Sequence, residues 1–247
     1  MEHKTLVILP VYNERRNVGI VIAQILALKE FSILVIDDAS PDGSAQVVKD
    51  IMSENNNVFL IERPEKLGLG TAYVTGFKWG LERGYDYFIE MDADGSHNAE
   101  AFPWFIKEIQ NGYDVIIGSR YIDGKISVVG WDFHRLLLSK FGNFYASKLL
   151  RLPFTDVTSG FRCYTRKALE SINLDAITSN GYAFQIEMIY WTKSAGLKIG
   201  EMPITFYERT AGSSKMSRTI VWEAVHLPWK LRLERLKGCY SKGIYKI

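Results

Sequence analysis

Apolar runs of a few residues, each closed abruptly by acids or turn residues, recur through the first half of the chain. Residues 6–9 stop at Pro10-Val11-Tyr12-Asn13-Glu14, and residues 33–36 stop at Asp37-Asp38-Ala39-Ser40. Residues 58–61 form a third run; a fourth, 87–91, ends at Asp92-Ala93-Asp94-Gly95, and a fifth, 115–117, ends at Gly118-Ser119-Arg120-Tyr121. Runs rich in β-branched and aromatic residues and bounded by turn residues predict buried strands. Between them apolar positions recur at three- and four-residue spacing, as in Val18, Val21, Ile22 and Ile25 and again in Val47, Val48, Ile51 and Met52, which predicts helices. Alternating strands and helices imply an α/β fold with a mostly parallel sheet and right-handed crossovers.

Past Arg120 the pattern loosens. A long helix spans 136–150, with Trp131 and Arg135 at its entrance, and a polar loop runs from Asp156 to Arg162. Further helices are expected around Lys167 and over 184–191, and a last strand over 199–207, which Pro203 confines to a sheet edge. One compact domain therefore covers residues 1–215. The tail, 216–247, is an amphipathic C-terminal segment in which Trp222, Val225, Trp229 and Leu233 alternate with Lys230, Arg232 and Arg235. Tryptophan with basic residues on such a helix suits a membrane interface; the competing reading is a helix docked on the protein's own core. Pro228 predicts a break into two short helices.

Composition narrows the class without naming it. A formal charge of +2 over 247 residues excludes a dedicated nucleic-acid binder. Cys163 and Cys239 lie far apart without metal-type spacing and read as reduced thiols. With no secretory leader or membrane-spanning run, the expected location is cytoplasmic, peripheral on the cytosolic face of a membrane.

Glu14, Asp37 with Asp38, and Asp92 with Asp94 all follow strands, so a parallel sheet brings them to one edge, where open α/β folds bind ligands. Asp92 and Asp94, two apart in extended chain, can face one hard cation, Mg²⁺ or Mn²⁺, whose shell substrate phosphates complete. The plainer alternative is an acidic turn capping the helix that starts near Asn98. Asp37 or Asp38 suits the hydroxyls and base edge of a nucleotide. Gly68-x-Gly70 is only a fragment of a dinucleotide fingerprint and reads as a turn. Arg120, Arg135, Arg209 and Lys215 fall on loops or element ends, where guanidinium and ammonium groups can hold phosphates. Arg162 either joins them or pairs with Asp156, and His97 reads as a loop cap rather than a base.

Five ordered motifs together resemble family 2 glycosyltransferases: the stretch from Leu9 to Glu14, Val35 to Gly43, Met91 to His97, Gly118 to Tyr121, and Ser159 to Arg162. The likeness is strongest to the dolichol-phosphate (polyprenol-phosphate) mannosyltransferases and covers Leu6 to Lys215. It implies a GT-A fold, GDP-mannose as donor, a polyprenyl phosphate as acceptor and a divalent metal. By resemblance Pro10, Tyr12, Glu14, Val35 and Asp37 line the nucleotide pocket, and Asp92, Ala93 and Asp94 hold the metal and diphosphate. Ser96 stands where some relatives place a glutamine metal ligand, so a water bridge is expected there. Arg120, Arg209 and Lys215 match phosphate-binding positions and, with Asp94, form the implied catalytic set. Some relatives work with small membrane subunits, a class of partner the resemblance extends to this chain. A phosphate acceptor, already largely dianionic at neutral pH, needs no general base, which implies in-line displacement with inversion. Two other readings stay open: a different nucleotide hexose or a hydroxyl acceptor on the same fold, and a non-catalytic sugar-nucleotide-binding subunit.

Overall fold

The computed structural model describes residues 3–208 and 218–236. The five apolar runs are strands: β1 (Thr5–Val11), β2 (Phe31–Asp37), β3 (Val58–Glu62), β4 (Tyr87–Glu90) and β5 (Val115–Ser119). Helices α1 (Val18–Leu26), α2 (Ser44–Met52), α3 (Leu69–Glu82) and α4 (Phe102–Gln110) alternate with them as the periodicity predicts. Then follow β6 (Val128–Val129), α5 (Phe133–Leu150), β7 (Arg162–Thr165), α6 (Arg166–Glu170), α7 (Gly181–Ser194), β8 (Ile199–Pro203), β9 (Phe206–Tyr207) and α8 (Arg218–Leu236).

Seven strands form one sheet in the order β3-β2-β1-β4-β7-β5-β8. From β1 the chain builds outward to β2 and β3 on one side and to β4 on the other, so the topological switch lies between β1 and β4. Ligand clefts of open α/β sheets form at such a point. Successive residues of each strand face opposite layers: Leu6, Ile8, Leu34 and Ile36 pack with α3 and α7, while Val7, Leu9, Ile33 and Val35 pack with α1 and α4. Both layers are apolar because burying each such side chain contributes about 1.5–3 kcal/mol.

The second half departs from the sequence reading in four places. The loop ending at Arg162 runs straight into β7, which enters between β4 and β5 antiparallel to both. No alternation in Arg162-Cys163-Tyr164-Thr165 marks it, because a strand covered on both faces need not alternate. Helix α7 extends well beyond 184–191. The expected last strand divides after Pro203: β8 takes the sheet edge, while β9 pairs with β6. Pro228 does not break α8, which is continuous; Leu227 and Leu231 sink into the core, and this packing offsets the hydrogen bond that proline removes.

Helix α8 docks on the body through Tyr145 Oη to the Val225 carbonyl (2.9 Å) and Arg232 to the Leu149 carbonyl (2.9 Å). Its other face leaves Trp222, Trp229 and Leu233 more than half exposed. The neighbouring α5 is inside out. Asn143 and Ser147 are buried and hydrogen-bonded, whereas Phe133, Leu137, Leu138, Phe141 and Phe144 are 49–68% exposed. Among the described residues no helix is long and apolar enough to cross a membrane. Cys163 is a buried free thiol; Cys239 lies outside the described residues.

Candidate active site

The strand ends and the turns after them enclose a cleft of about 290 Å³. Pro10, Val11, Tyr12 and Glu14 reach it from the end of β1, and Asp92, Ala93 and Asp94 from the end of β4. Thr158 and Gly160 come from the loop before β7, and Asn180, Gly181, Tyr182 and Gln185 from the start of α7. The turn after β1 is tightly held: Asn13 takes a left-handed conformation (φ 57°) while its N–H donates to Ser40 Oγ (3.0 Å). The Glu14 N–H donates to Ser44 Oγ (2.9 Å), and its carboxylate accepts from Asn17 Nδ2 (2.7 Å).

The two neighbouring acids after β2 divide the work. Asp38 is bound to Arg63 and accepts the Gly68 N–H (2.9 Å), which anchors the start of α3. Asp37 accepts the Ser40 N–H through Oδ2 (2.9 Å), but its buried Oδ1 has no partner. A buried acceptor left unpaired costs about 1–3 kcal/mol, yet Asp37 itself does not line the cleft; of the two acids it is Asp38 that does. Gly68 (φ 96°) is the turn residue the sequence suggests. Gly70 has a stricter reason: a Cβ there would stand 2.2 Å from the Ser179 carbonyl oxygen, closing the cleft's two walls.

The acidic loop is built by its own backbone. Asp94 Oδ1 accepts the Ser96 N–H (3.0 Å), and His97 Nδ1 accepts the Asp92 N–H (3.3 Å). His97 stacks on Phe161 at 4.6 Å. Burial drives its pKa down to about 4 against the opposing pull of Asp94, so it stays neutral and serves as the loop cap expected of it. Helix capping falls to Asn98, which accepts the Glu100 N–H (3.0 Å) and leaves Asp92 in the cleft wall.

Several expectations are corrected. Val35 is wholly buried in the layer facing α1, because its place in β2 points it away from the ligand edge. Ser96 is buried and does not line the cleft; its N–H holds Asp94, while its buried Oγ has no hydrogen-bond partner in the structure. Arg120 is not a free phosphate ligand. Its Nε and Nη2 both donate to Asp156 at 2.6 Å, and Nη2 also reaches Thr158 Oγ1 (2.9 Å). Burial works against both charges, yet each partner outweighs it, raising the Arg120 pKa and lowering that of Asp156. The pair foreseen for Arg162 and Asp156 is therefore made by Arg120. Arg162 instead donates to the carbonyls of Gln185 and Val157 (2.7 Å each). Arg135 stacks on Trp131 at 4.2 Å and reaches Glu208 at 3.4 Å, away from the cleft. Arg209 and Lys215 lie outside the described residues.

Lys66 and the residues at the start of α7, Asn180, Gly181, Tyr182 and Gln185, escaped the sequence reading. Lys66 lines the cleft with its ammonium 4.0 Å from the Tyr12 ring centroid, and Gln185 lines it from α7. Neither has a local motif that could have marked it. Behind the acidic loop, Glu90 is fully buried and faces Arg162 across the β4–β7 pair. Burial raises its pKa to about 8, with Arg162 pulling the other way. Its protonated form thus stabilises the fold fully below the unfolded value near 4.5, and that contribution is lost as pH rises toward 8. Relative to Glu90→Gln, urea titrations of the native protein lose on the order of 3 kcal/mol between pH 5 and 8. A constant difference across that range would show that Glu90 keeps an ordinary carboxyl pKa.

Comparison with known proteins agrees with this layout. The model of glycosyl transferase family 2 matches residues 6–172. The polyprenol monophosphomannose synthase of Mycolicibacterium smegmatis is 42% identical over 241 residues, 95% of this chain and 91% of that protein. The undecaprenyl-phosphate mannosyltransferase of Micrococcus luteus is 44% identical over 223 residues, 90% of this chain and 91% of that protein. Among solved structures, glucosyl-3-phosphoglycerate synthase from Mycobacterium tuberculosis, in complex with Mn²⁺, uridine diphosphate and glucosyl-3-phosphoglycerate, superposes with a TM-score of 0.65. It shares 17% identity over 96% of this chain and 80% of its own, a likeness of fold. The switch-point cleft, the acidic pair after β4 and full-length relatives at this identity lead to one conclusion: the chain belongs to glycosyl transferase family 2 and has its GT-A fold.

Proposed function

We propose that this protein transfers mannose from GDP-mannose to a polyprenyl monophosphate at the cytosolic surface of a membrane, with inversion at the anomeric carbon. The observation that carries the reading is the cleft at the β1–β4 switch, which joins Tyr12, Glu14 and Lys66 to Asp92 and Asp94. The printed activities of the two bacterial relatives support the choice of sugar and acceptor.

The donor's base and ribose fit the β1–β2 end, lined by Tyr12, Glu14, Asp38 and Lys66, with the unpaired Asp37 Oδ1 buried just behind that wall. Asp92 and Asp94 are the residues that would hold a divalent ion. Among the described residues no group of three His, Cys, Asp or Glu forms a metal cage, and two carboxylates completed by substrate phosphate oxygens are what a hard cation such as Mg²⁺ or Mn²⁺ accepts. When bound, such an ion offsets the charge that develops on the departing diphosphate. An acceptor phosphate oxygen attacks the anomeric carbon, the bond from that carbon to the diphosphate oxygen breaks, and GDP leaves. The acceptor, largely dianionic at neutral pH, brings no proton to remove, in keeping with the buried, neutral His97. Arg209 and Lys215 are the proposed phosphate contacts, while Arg120 acts through Asp156 to fix the loop carrying Thr158 and Gly160.

A polyprenyl acceptor resides in lipid, and the outward faces of α8 and α5 suit that surface. They adjoin where Tyr145 stacks on Phe141 and donates to Val225. Lys140, Lys148 and Lys230 are exposed beside them, as attraction to anionic headgroups requires. In vesicle flotation with anionic phospholipid, Phe141→Ser/Trp229→Ser is expected to shift most of the protein to the soluble fraction without lowering Tm. Undiminished flotation would remove these faces from the reading. The activity itself is tested with radiolabelled GDP-mannose, Mg²⁺ and a short polyprenyl phosphate: label is expected in the organic phase. Faster transfer from UDP-glucose, or label in water-soluble product alone, selects the other readings.

A further inference from the structure

Gln185 is 2% exposed and lines the cleft, yet neither its amide nitrogen nor its amide oxygen has a hydrogen-bond partner. Buried side-chain amides are nearly always satisfied, so two orphaned atoms on one amide, facing a cavity, call for a ligand. The side chain is held from behind. Arg162 donates to the Gln185 carbonyl (2.7 Å) and to Tyr164 Oη (3.2 Å), fixing this turn of α7 against β7. Glu90 lies close enough for the amide to favour its charged form, but no hydrogen bond of ordinary geometry joins them. In front stands Gly160. A Cβ on that glycine would lie 3.6 Å from Gln185 Nε2 and 3.8 Å from Asp92 Oδ1, so the amide and the carboxylate flank one bare α-carbon. The other orphaned amide oxygen of this wall, Asn180 Oδ1, stands against Gly68 on the nucleotide side instead.

We propose that Gln185 is the hexose-reading residue of the donor subsite, its amide donating to and accepting from one hydroxyl of the transferred sugar. This rests on the sugar-nucleotide reading above. The chemistry of the position selects the ligand class. A phosphate offers only acceptors and would leave the amide oxygen unpaired, whereas a sugar hydroxyl both donates and accepts and so satisfies both amide atoms. The sugar of a nucleotide diphosphohexose sits next to its diphosphate, and Gln185 sits next to Asp92. A group that hydrogen-bonds a substrate hydroxyl discriminates strongly against analogues lacking it, because the protein's own polar atoms are then left unpaired.

The test compares the full-length protein with Gln185→Ala and Gln185→Leu, using GDP-mannose and its 2-, 3-, 4- and 6-deoxy forms as donors. GDP binding by calorimetry and Tm are followed alongside. Both variants are expected to lose about 10- to 100-fold in kcat/KM with GDP-mannose. For one deoxy donor the variants and the native protein should be equally efficient, since the hydroxyl that the amide reads is already gone. GDP, which carries no sugar, should bind all three alike. Gln185→Leu should hold or raise Tm, because it removes a buried unpaired amide. A loss of equal size for every deoxy donor, or a parallel fall in GDP affinity and Tm, would overturn the assignment and make Gln185 a structural partner of Glu90. A native protein that ignores GDP-mannose overturns the donor proposal instead; deoxy forms of the nucleotide hexose it does use then decide Gln185 by the same criteria.

Discussion

Asp94→Ala is expected to lower mannosyl transfer by at least about 1,000-fold while leaving a folded protein. Asp94 is 4% exposed, and its carboxylate is aimed by the Ser96 N–H into the wall it shares with Asp92. Removing it deletes half of the proposed ion-binding pair at the point where the donor diphosphate must lie beside the remaining acid. The structural cost is small by comparison. Among the described residues the loop loses the hydrogen bond from the Ser96 N–H, about 1 kcal/mol, so the circular dichroism spectrum stays native and Tm moves by only a few degrees. Chelation gives the matching result without a mutation: EDTA stops turnover and added Mg²⁺ or Mn²⁺ restores it. A variant that keeps a tenth of native activity, or native turnover in EDTA, would falsify the role given to the acidic pair.

Asp156→Ala is the substitution expected to damage the fold most. The wholly buried Asp156 carboxylate takes the Arg120 backbone N–H (3.0 Å), Nε and Nη2, while Glu201 holds the Asp156 N–H (3.0 Å). Without the acid, a guanidinium that is 5% exposed keeps its charge and loses its counter-charge. Breaking one side of a buried pair typically costs about 3–5 kcal/mol, much of it from the charge left behind. Urea unfolding at neutral pH measures the loss, and Asp156→Leu combined with Arg120→Met should recover most of it, because both charges of this pair are then gone. A loss below about 1 kcal/mol for Asp156→Ala, or a double variant no better than the single, would mean that the loop relaxes and lets water reach Arg120. The same pair explains why the loop can carry Thr158 and Gly160 into the cleft: Arg120 ties it to the end of β5.

The acidic pair and the buried pair mark two kinds of legibility. Asp92 and Asp94 could be placed from the chain alone, because they end an apolar run and a parallel sheet sends all such ends to one edge. Pro10, Tyr12 and Glu14 follow from the same rule, and the cleft contains them all. Arg120 and Arg162 could not be told apart in this way. Arg162 is six residues from Asp156 and Arg120 lies 36 residues away, and which one reaches it depends on β7 entering the sheet between β4 and β5. That insertion also buries Arg162 opposite Glu90 and gives a residue expected either to join the phosphate-binding cations or to pair with Asp156 a third role, as a fixed support for α7.

Local periodicity, then, was enough for the strands and helices of the first half, the α/β class and the edge where the acids gather, since each depends on neighbours a few residues away and on the handedness of crossovers. Sequence also carried the five motifs by which the family could be recognised. Left to the folded chain were β7, the continuity of α8 through Pro228, the inverted face of α5, the burial of Val35 and the arrival of Lys66 and Gln185 in the cleft. The physical reason is common to them. Each is decided by which side chains from distant segments share a low-dielectric interior, where one pairing excludes another, and no spacing along the chain encodes that choice.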